Sequence, residues 1–513
     1  MKPFFLHFAI FLLVFCSDRL AFIPPPSLGE CTIGVFSGSA TVDGRPMLWK
    51  NRDVSDAVQK FCYFQPPRDA DRPAYGFLGN VYSSDTNRVY MGVNEVGFAI
   101  INSNSYNLGD SLADGINDGD LMRMALERCR TLQDFEALLD LTAEKGRKDC
   151  WNIGVFDAEG QAALYECSNY GYVKFDANNP EHAINGVILR ATFGLSGGPN
   201  RVGIERYKRV NHLVHERANE SPLDAEFVLQ VLSRDLANPI ADPYPLPYTG
   251  IQDGKPEGFI LSQMVTINRF ISRSCMVIRG TKPGEDPSLS TSFCTIGAPA
   301  ISVAYPLWVR ARQVPLVLNF GLEVPMYTLT SRHRAHLYPS PKTGVYINSL
   351  YLVNLDGGGL YSYTLPLERQ ALEIAEEFIT DWNNDLPSPE EVADAQAIIA
   401  RIVFGSYREI PVGYDDRFLP EIETQPEIAS YPNPFNAQAT IHLNGFDDDE
   451  PIRIGIYDLL GREVRSLEAV SRGENFAVWD GTDNYGRPVA SGVYLIRAET
   501  SGYSAVTKSL LMK

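Results

Sequence analysis

Cys31 has the clearest capacity for covalent chemistry in this sequence, provided the chain is cut just before it, within "GECTIGVFSGSATVDGRPMLWKNRD" at residues 29–53. A cysteine at a chain N-terminus carries a thiol that attacks carbonyls and an α-amine of unperturbed pKa about 7.7 to 8.0, so nucleophile and base come together. The preceding "MKPFFLHFAIFLLVFCSDRLAF" has the features of an export signal: a lysine, then an apolar run from Phe4 to Cys16 too short to span a bilayer comfortably. Ser27, Leu28 and Gly29 suit signal cleavage one position short of the required cut, so Glu30 must be removed by trimming or by self-cleavage of the Glu30–Cys31 bond. Without that cut Cys31 is a strand cysteine, a type more often buried or disulfide-bonded than catalytic.

The elements that must position Cys31 read as antiparallel strands. "TIGVF" and "MLWKN" flank the turn "VDGRP", and two further β-rich pairs surround "NEVG" and "DAEG". Between those pairs, Leu121, Met124, Ala125 and Leu126, then Phe135, Leu138, Leu139 and Leu141, recur at helical spacing and predict two helices. Helical patterns return at 203–217, 223–236, 366–383 and 388–403, the last opened by the capping sequence "SPEE". Strands followed by blocks of helix predict a layered α+β domain.

The pattern changes near the end of the chain. Residues 409–428 are rich in proline and acids and read as a linker, preceded by a domain over 31–408 and by a signal with a short propeptide over 1–30. From Ala437 to Lys513 short strands recur about every ten residues and predict a small all-β sandwich within a domain at 429–513. The run "DDDE" at 447–450 lacks the spacing of a calcium loop and reads as a solvated turn.

At 513 residues the chain needs two or more domains, and its net charge of −18 argues against a nucleic-acid partner. No stretch after the leader is apolar for some 18 residues, so no transmembrane segment is expected in the mature chain. Of 8 cysteines, Cys16 lies in the leader, and the odd remainder leaves at least one thiol unpaired in an oxidising compartment. Three disulfides beside a free Cys31 fit this count, as does a fully reduced chain. His212 with His215, and His333 with His336, sit three apart but lack an evident third ligand, so they read as surface histidines and no metal site is expected. No cofactor motif is present.

The ordered motifs resemble the N-terminal nucleophile (Ntn) hydrolases related to choloylglycine hydrolases, penicillin acyltransferases and cysteine-type dipeptidases. The resemblance rests on Cys31 and Thr32, the Asp43–Gly44 turn, and Lys50, Asn51, Arg52 and Asp53, with Lys50 where many relatives carry arginine. It continues in "GVNEVGFAIINSNS", "VILRATFGLSGGPNRVGIERYKRV" and, more loosely, "RFISRSCMVIRGTKPGEDP" and "CTIGAPAISVAYPLWV", over about residues 31 to 330. It implies a four-layer αββα sandwich in which Cys31 is the nucleophile, Asp53 orients its amine, and Asn104, with Asn102 as substitute, stabilises the oxyanion. Arg206 supports the site, Lys50 and Asn51 assist, Glu166 matches a recurring strand-end acid, and Thr192 stands where a catalytic asparagine is usual. The implied activity is hydrolysis, or acyl transfer, at a C–N amide of a small molecule or short peptide, without cofactor. The alternatives are a dipeptidase-like enzyme and a surface binding protein that has lost turnover, the latter suggested by Lys50 and Thr192.

The tail motifs "YPNPFN", "IYDLLGREV", "WDGTDNYGRPVASGVYLIRAE" and "TKSLLMK" resemble C-terminal sorting domains of the type IX secretion pathway, which have a FlgD-like immunoglobulin-type fold. That resemblance implies export and outer-membrane secretion machinery as partners, and a secreted or cell-surface location in a Gram-negative bacterium.

Overall fold

The computed structural model describes residues 31–512, apart from 55–57, 68–72, 239–241, 252–254, 262–264, 340–345, 383–384, 413–426, 432–434, 437, 445–451, 459–460, 468–475 and 501–503. The expected leader with Glu30, most of the expected linker and the "DDDE" turn lie outside the described residues. The chain divides into two compact units, Met1–Asp415 and Asp416–Lys513.

The first unit begins β1 (Thr32–Phe36), β2 (Met47–Asp53), β3 (Gln59–Phe64), β4 (Phe77–Tyr82), β5 (Met91–Asn94), β6 (Ala99–Asn104), α1 (Asp118–Arg128) and α2 (Leu132–Ala143). It continues β7 (Trp151–Phe156), β8 (Ala162–Cys167), β9 (Tyr172–Asp176), β10 (Val187–Arg190), α3 (Ile204–Glu220) and α4 (Ala225–Phe227), which a π turn prolongs over Val228–Leu232. The remainder is β11 (Phe259–Leu261), β12 (Ser272–Arg279), β13 (Thr291–Ile296), β14 (Tyr305–Trp308), α5 (Pro325–Leu337), β15 (Tyr346–Asn348), α6 (Tyr361–Trp382) and α7 (Pro389–Arg408).

Strand periodicity explains the layers, because alternate residues point to opposite faces. One antiparallel sheet has the order β10-β1-β2-β12-β13-β14 and the other is a meander from β3 to β9. Ile33, Val35, Leu48, Met276 and Ile278 of the first share a buried core with Leu78, Met91, Val93, Ile101 and Leu164 of the second. On the far side of the second sheet, Phe98, Ile100 and Val155 pack on Leu121, Leu126, Phe135 and Leu139 of α1 and α2. On the far side of the first, Met47, Trp49, Leu189 and Val277 pack on Val210 and Val214 of α3 and on Leu229. The result is the expected α+β, αββα sandwich. The sheets meet closely at Gly154, where a Cβ would lie 2.6 Å from a methyl group of Val35.

Local signals set the helix ends. Thr131 and Asp134 form a reciprocal cap that starts α2, and Ser388 with Glu391 forms another that starts α7. Two predicted helices are corrected. The pattern at 223–236 stops as helix and π turn at Leu232, because Arg234 is recruited to Glu368 of α6 at 2.7 Å and to the carbonyls of Pro299 and Ser302. The helix expected from 366 starts at Tyr361, with Pro366 inside it.

All seven cysteines from Cys31 to Cys294 are buried and unpaired, so the structure has the reduced alternative and not the three-disulfide one. The histidine expectation is corrected at His333, which is 2% exposed with Nδ1 2.6 Å from the Tyr351 hydroxyl. Burial, helped by His336 and Arg332, pushes this imidazole down to about 4. It is a neutral core group held by a tyrosine. Among the described residues no group of three or more His, Cys, Asp or Glu is placed to hold a metal ion, and no helix is long and apolar enough to cross a membrane.

The second unit comprises β16 (Glu427–Tyr431), β17 (Ala439–Asn444), β18 (Arg453–Tyr457), β19 (Glu463–Leu467), β20 (Phe476–Trp479), β21 (Gly492–Glu499) and β22 (Ser504–Leu511). Sheets ordered β16-β17-β20 and β19-β18-β21-β22 enclose Ile441, Leu443, Ile454, Ile456, Trp479 and Ile496, giving the expected small β-sandwich.

Candidate active site

The site grows from the first hairpin. In the β1–β2 register Ile33 faces Lys50 and Thr32 faces Asn51, so one further step sets Cys31 opposite Arg52 with Lys50 on the diagonal. Because Ile33 and Leu48 point into the space between the sheets, Cys31, Lys50 and Arg52 share that inner face by strand alternation. Cys31 is 4% exposed. A thiol there has two cationic side chains, Lys50 and Arg52, on the neighbouring strand.

Lys50 is also buried, and its ammonium donates to the Tyr90 carbonyl at 2.8 Å and to Asn102 Oδ1 at 2.5 Å. Asn102 passes the contact on, its amide donating to Asp118 Oδ2 at 2.9 Å at the start of α1. Burial is the main force on Lys50 and pushes it down to about 8, with Arg52 adding to the fall while Cys31, Asp118 and Asp53 oppose it. Arginine at this position would stay charged at any working pH; this lysine titrates near neutrality.

Asp53 ends β2 and is fully buried. Its carboxylate accepts from Arg269 Nε at 3.0 Å and Nη2 at 2.9 Å, and from the Ser272 hydroxyl at 2.6 Å. Neither Arg269 nor Ser272 was among the residues expected from sequence. Arg269 stands in "TINRFISRSC", within a segment of looser resemblance, and nothing local signals that its partner lies 216 residues earlier. Asn51 has a tethering role: it accepts from Trp49 Nε1 at 3.2 Å and donates to the Ser233 carbonyl at 2.9 Å.

Arg52 is held edge and face. Its Nε donates to Gln59 Oε1 at 2.8 Å, and its guanidinium carbon lies 3.7 Å from the Tyr90 ring centroid and 4.9 Å from that of Tyr82. Its Nη2 is buried without an acceptor.

Asn102 and Asn104 share one face of β6, but their surroundings differ. The Asn102 amide is committed to Asp118, whereas Asn104 is half-buried at the strand end, opposite Trp151 of β7. Thr192 and Arg206 are in direct contact. The Thr192 hydroxyl donates to the Val202 carbonyl at 2.8 Å and accepts from Arg206 Nη2 at 3.3 Å. Gly203, at φ 81°, permits this approach, since a Cβ there would stand 2.8 Å from both Thr192 Oγ1 and Arg206 Nη2.

The loop carrying Thr192 is fixed from three sides. Ser103 Oγ donates to the Ala191 carbonyl at 2.6 Å, and the Asn152 amide donates to the carbonyls of Ala191 at 3.3 Å and Phe193 at 3.2 Å. Glu166 accepts from Arg190 at 2.6 Å, from the backbone of Leu195 at 2.7 Å and Ser196 at 2.8 Å, and from the Ser196 hydroxyl. Burial pushes the Glu166 carboxyl up, but Arg190 and the Ser196 and Leu195 donors outweigh it and hold it below the usual range. Two cavities, of about 420 Å³ beside Ser39, Ala177 and Asn185 and about 440 Å³ beside Glu95, Asp286 and Arg310, contain none of these residues.

Residues 40–222 match the family model described as acyl-coenzyme A:6-aminopenicillanic acid acyl-transferase, and residues 429–513 match the secretion system C-terminal sorting domain. No curated protein matches the chain. Among solved structures, penicillin V acylase from Agrobacterium tumefaciens is 15% identical, over 54% of this chain and 86% of that one, with a TM-score of 0.32. A variant of conjugated bile acid hydrolase from Clostridium perfringens is 12% identical, over 52% and 89%, with a TM-score of 0.30. Dimeric latent PorU from Porphyromonas gingivalis is 24% identical over 17% of this chain, with a TM-score of 0.16, and the match spans only 9% of PorU. Residues 40–222 are thus similar to the acyl-coenzyme A:6-aminopenicillanic acid acyl-transferase family, and residues 429–513 to secretion system C-terminal sorting domains.

Proposed function

We propose that this protein is a secreted Ntn hydrolase that uses Cys31 to cleave a C–N amide bond in a small molecule or short peptide, or to transfer its acyl group. Removal of the chain through Glu30 frees the Cys31 α-amine. The amine takes the thiol proton, Sγ attacks the amide carbon, and the oxyanion is met by donors that include Asn104. Collapse breaks the C–N bond, the leaving amine takes the proton from the α-ammonium, and a thioester remains. Water then adds to the thioester, giving one proton to the α-amine on attack; that proton returns to sulfur as the carboxylic acid leaves. Asp53, fixed by Arg269, orients the amine, and Lys50 and Arg52 flank the thiol. Thr192 and Arg206 support the loop beside β10. The sorting domain supports transit through outer-membrane secretion machinery to the surface or medium of a Gram-negative bacterium.

The observation that carries this reading is the pairing of β1 with β2, which sets a buried cysteine against Lys50 and Arg52, one residue before Asp53. One observation favours the alternative of a surface binding protein without turnover: the Thr192 hydroxyl, in the place of the usual asparagine, already donates to Val202. Two measurements separate the readings. N-terminal sequencing of exported protein is expected to begin at Cys31, and a thiol-directed acylating probe is expected to label wild type but not Cys31→Ala. Retention of residues ahead of Cys31, or equal labelling of both proteins, defeats the hydrolase reading.

A further inference from the structure

The second cation beside Cys31 has an unused donor. Arg52 is 3% exposed, its ring contacts and Gln59 fix the guanidinium in place, and Nη2 has no acceptor. Arginine keeps its charge when buried, and a buried charged N–H without a partner is costly enough that native structures rarely keep one without a use. The neighbouring carboxylates do not supply the missing acceptor. Asp53 is engaged by Arg269 and Ser272, and Asp118 by Asn102 and the Gly119 amide. Lys50, the other cation on this face, is satisfied by Tyr90 and Asn102.

The geometry points to Arg52 as the specificity-determining residue of the site, its Nη2 taking a carboxylate that the substrate carries close to the scissile amide. This assignment rests on the reading of Cys31 as nucleophile. Opposed residues on antiparallel strands stand about 4.5 to 5.5 Å apart at Cα, so a guanidinium fixed opposite Cys31 reaches a group only a few bonds from the attacked carbon. That carboxylate can sit on the acyl part or on the departing amine, and the planar fork of arginine suits either. The tyrosine faces beside it exclude water and strengthen the contact.

Two substrate pairs test the assignment on the mature, full-length protein. Succinanilate against butyranilide places the carboxylate on the acyl side; phenylacetylglycine against phenylacetylglycinamide places it on the leaving side. In wild type, kcat/KM is expected to favour the carboxylate member of one pair by about tenfold or more, through KM, as a charge-assisted hydrogen bond provides. The ratio is expected to fall to about one in Arg52→Met and to an intermediate value in Arg52→Lys, which also serves should the methionine variant fail to fold. A ratio unchanged by either substitution in both pairs overturns the assignment, and so does a wild-type preference for the neutral members. Calorimetry on Cys31→Ala separates this result from the fate of the hydrolase reading. Tighter binding of either carboxylate compound to Cys31→Ala than to Cys31→Ala with Arg52→Met supports Arg52 even where no substrate is hydrolysed. Equal affinity in the two proteins overturns it.

Discussion

Asp53 and Arg269 form a fully buried ion pair, with Arg269 Nη2 2.9 Å from the carboxylate and neither side chain exposed. The pair fastens the end of β2 to the segment entering β12, the two strands that Asp53 and Ser272 join in register. Breaking a buried pair from one side leaves the other charge without compensation, which typically costs about 3 to 5 kcal/mol. Arg269→Met is therefore expected to destabilise the first unit by about that amount in urea unfolding. Arg269→Met combined with Asp53→Asn is expected to recover much of the stability but no turnover, since the acid proposed to orient the Cys31 amine is then lost.

Lys50 predicts a pH dependence of folding with a definite sign. Its folded pKa of about 8 lies below the ordinary 10.5, so the folded state binds the proton less readily than the unfolded chain. The penalty is fully present below about pH 8 and disappears as pH rises through the unfolded value, for a total of about 3 kcal/mol. Relative to Lys50→Met, wild type is expected to gain stability between pH 8 and 10.5 by up to that amount, measured by urea unfolding at both ends of the range. Labelling of Cys31 by the acylating probe is expected to lose its Lys50 dependence over the same interval.

Glu166 carries the opposite sign. Its folded pKa is depressed, so its contribution is present above the unfolded carboxylate pKa and is lost as pH falls through the folded value. Glu166→Gln is expected to destabilise the fold at neutral pH, by about 3 to 5 kcal/mol because Arg190 is left buried, and to flatten the acid limb of the stability curve. Amide exchange at Leu195 and Ser196, whose N–H groups Glu166 accepts, is expected to accelerate more than exchange in the β1–β2 hairpin.

The cysteines give a chemical test of the fold. The six unpaired, buried thiols other than Cys31 predict that, Cys31 apart, a thiol reagent reacts slowly with native processed protein, and that it reaches seven equivalents on denaturation without reductant. Burial pushes Cys129, Cys150 and Cys167 up to between about 11 and 12, which further suppresses their native reactivity. Fewer equivalents before reduction would show that disulfides form.

The parts of this structure legible in the sequence are those written locally. The turn at Asp43 and Gly44 fixes the β1–β2 register, and that register brings Lys50 and Arg52 beside Cys31. The caps at Thr131 and Ser388 announce their helices in the same way. Arg269 escaped because its acid partner is 216 residues away and joins it only when β12 pairs with β2. His333 escaped for a related reason: its helix pattern looks basic and exposed, and only packing against Tyr351 and Tyr407 buries the ring. Thr192 and Arg206 follow one another in sequence order, yet their direct contact depends on the left-handed backbone of Gly203.

The hydrogen bonds from Ser103 and Asn152 to the backbone just past β10 cross from one sheet to the other. Apolar faces slide over one another at little cost, whereas these bonds have a fixed length and direction. They act as a calliper that sets the gap between the strand bearing Cys31 and the strand bearing Asn104, independently of how well the interior is filled. Drift of the interior packing can therefore alter the thermal tolerance of this protein while leaving the spacing between these two strands intact, so long as Ser103 and Asn152 keep their hold.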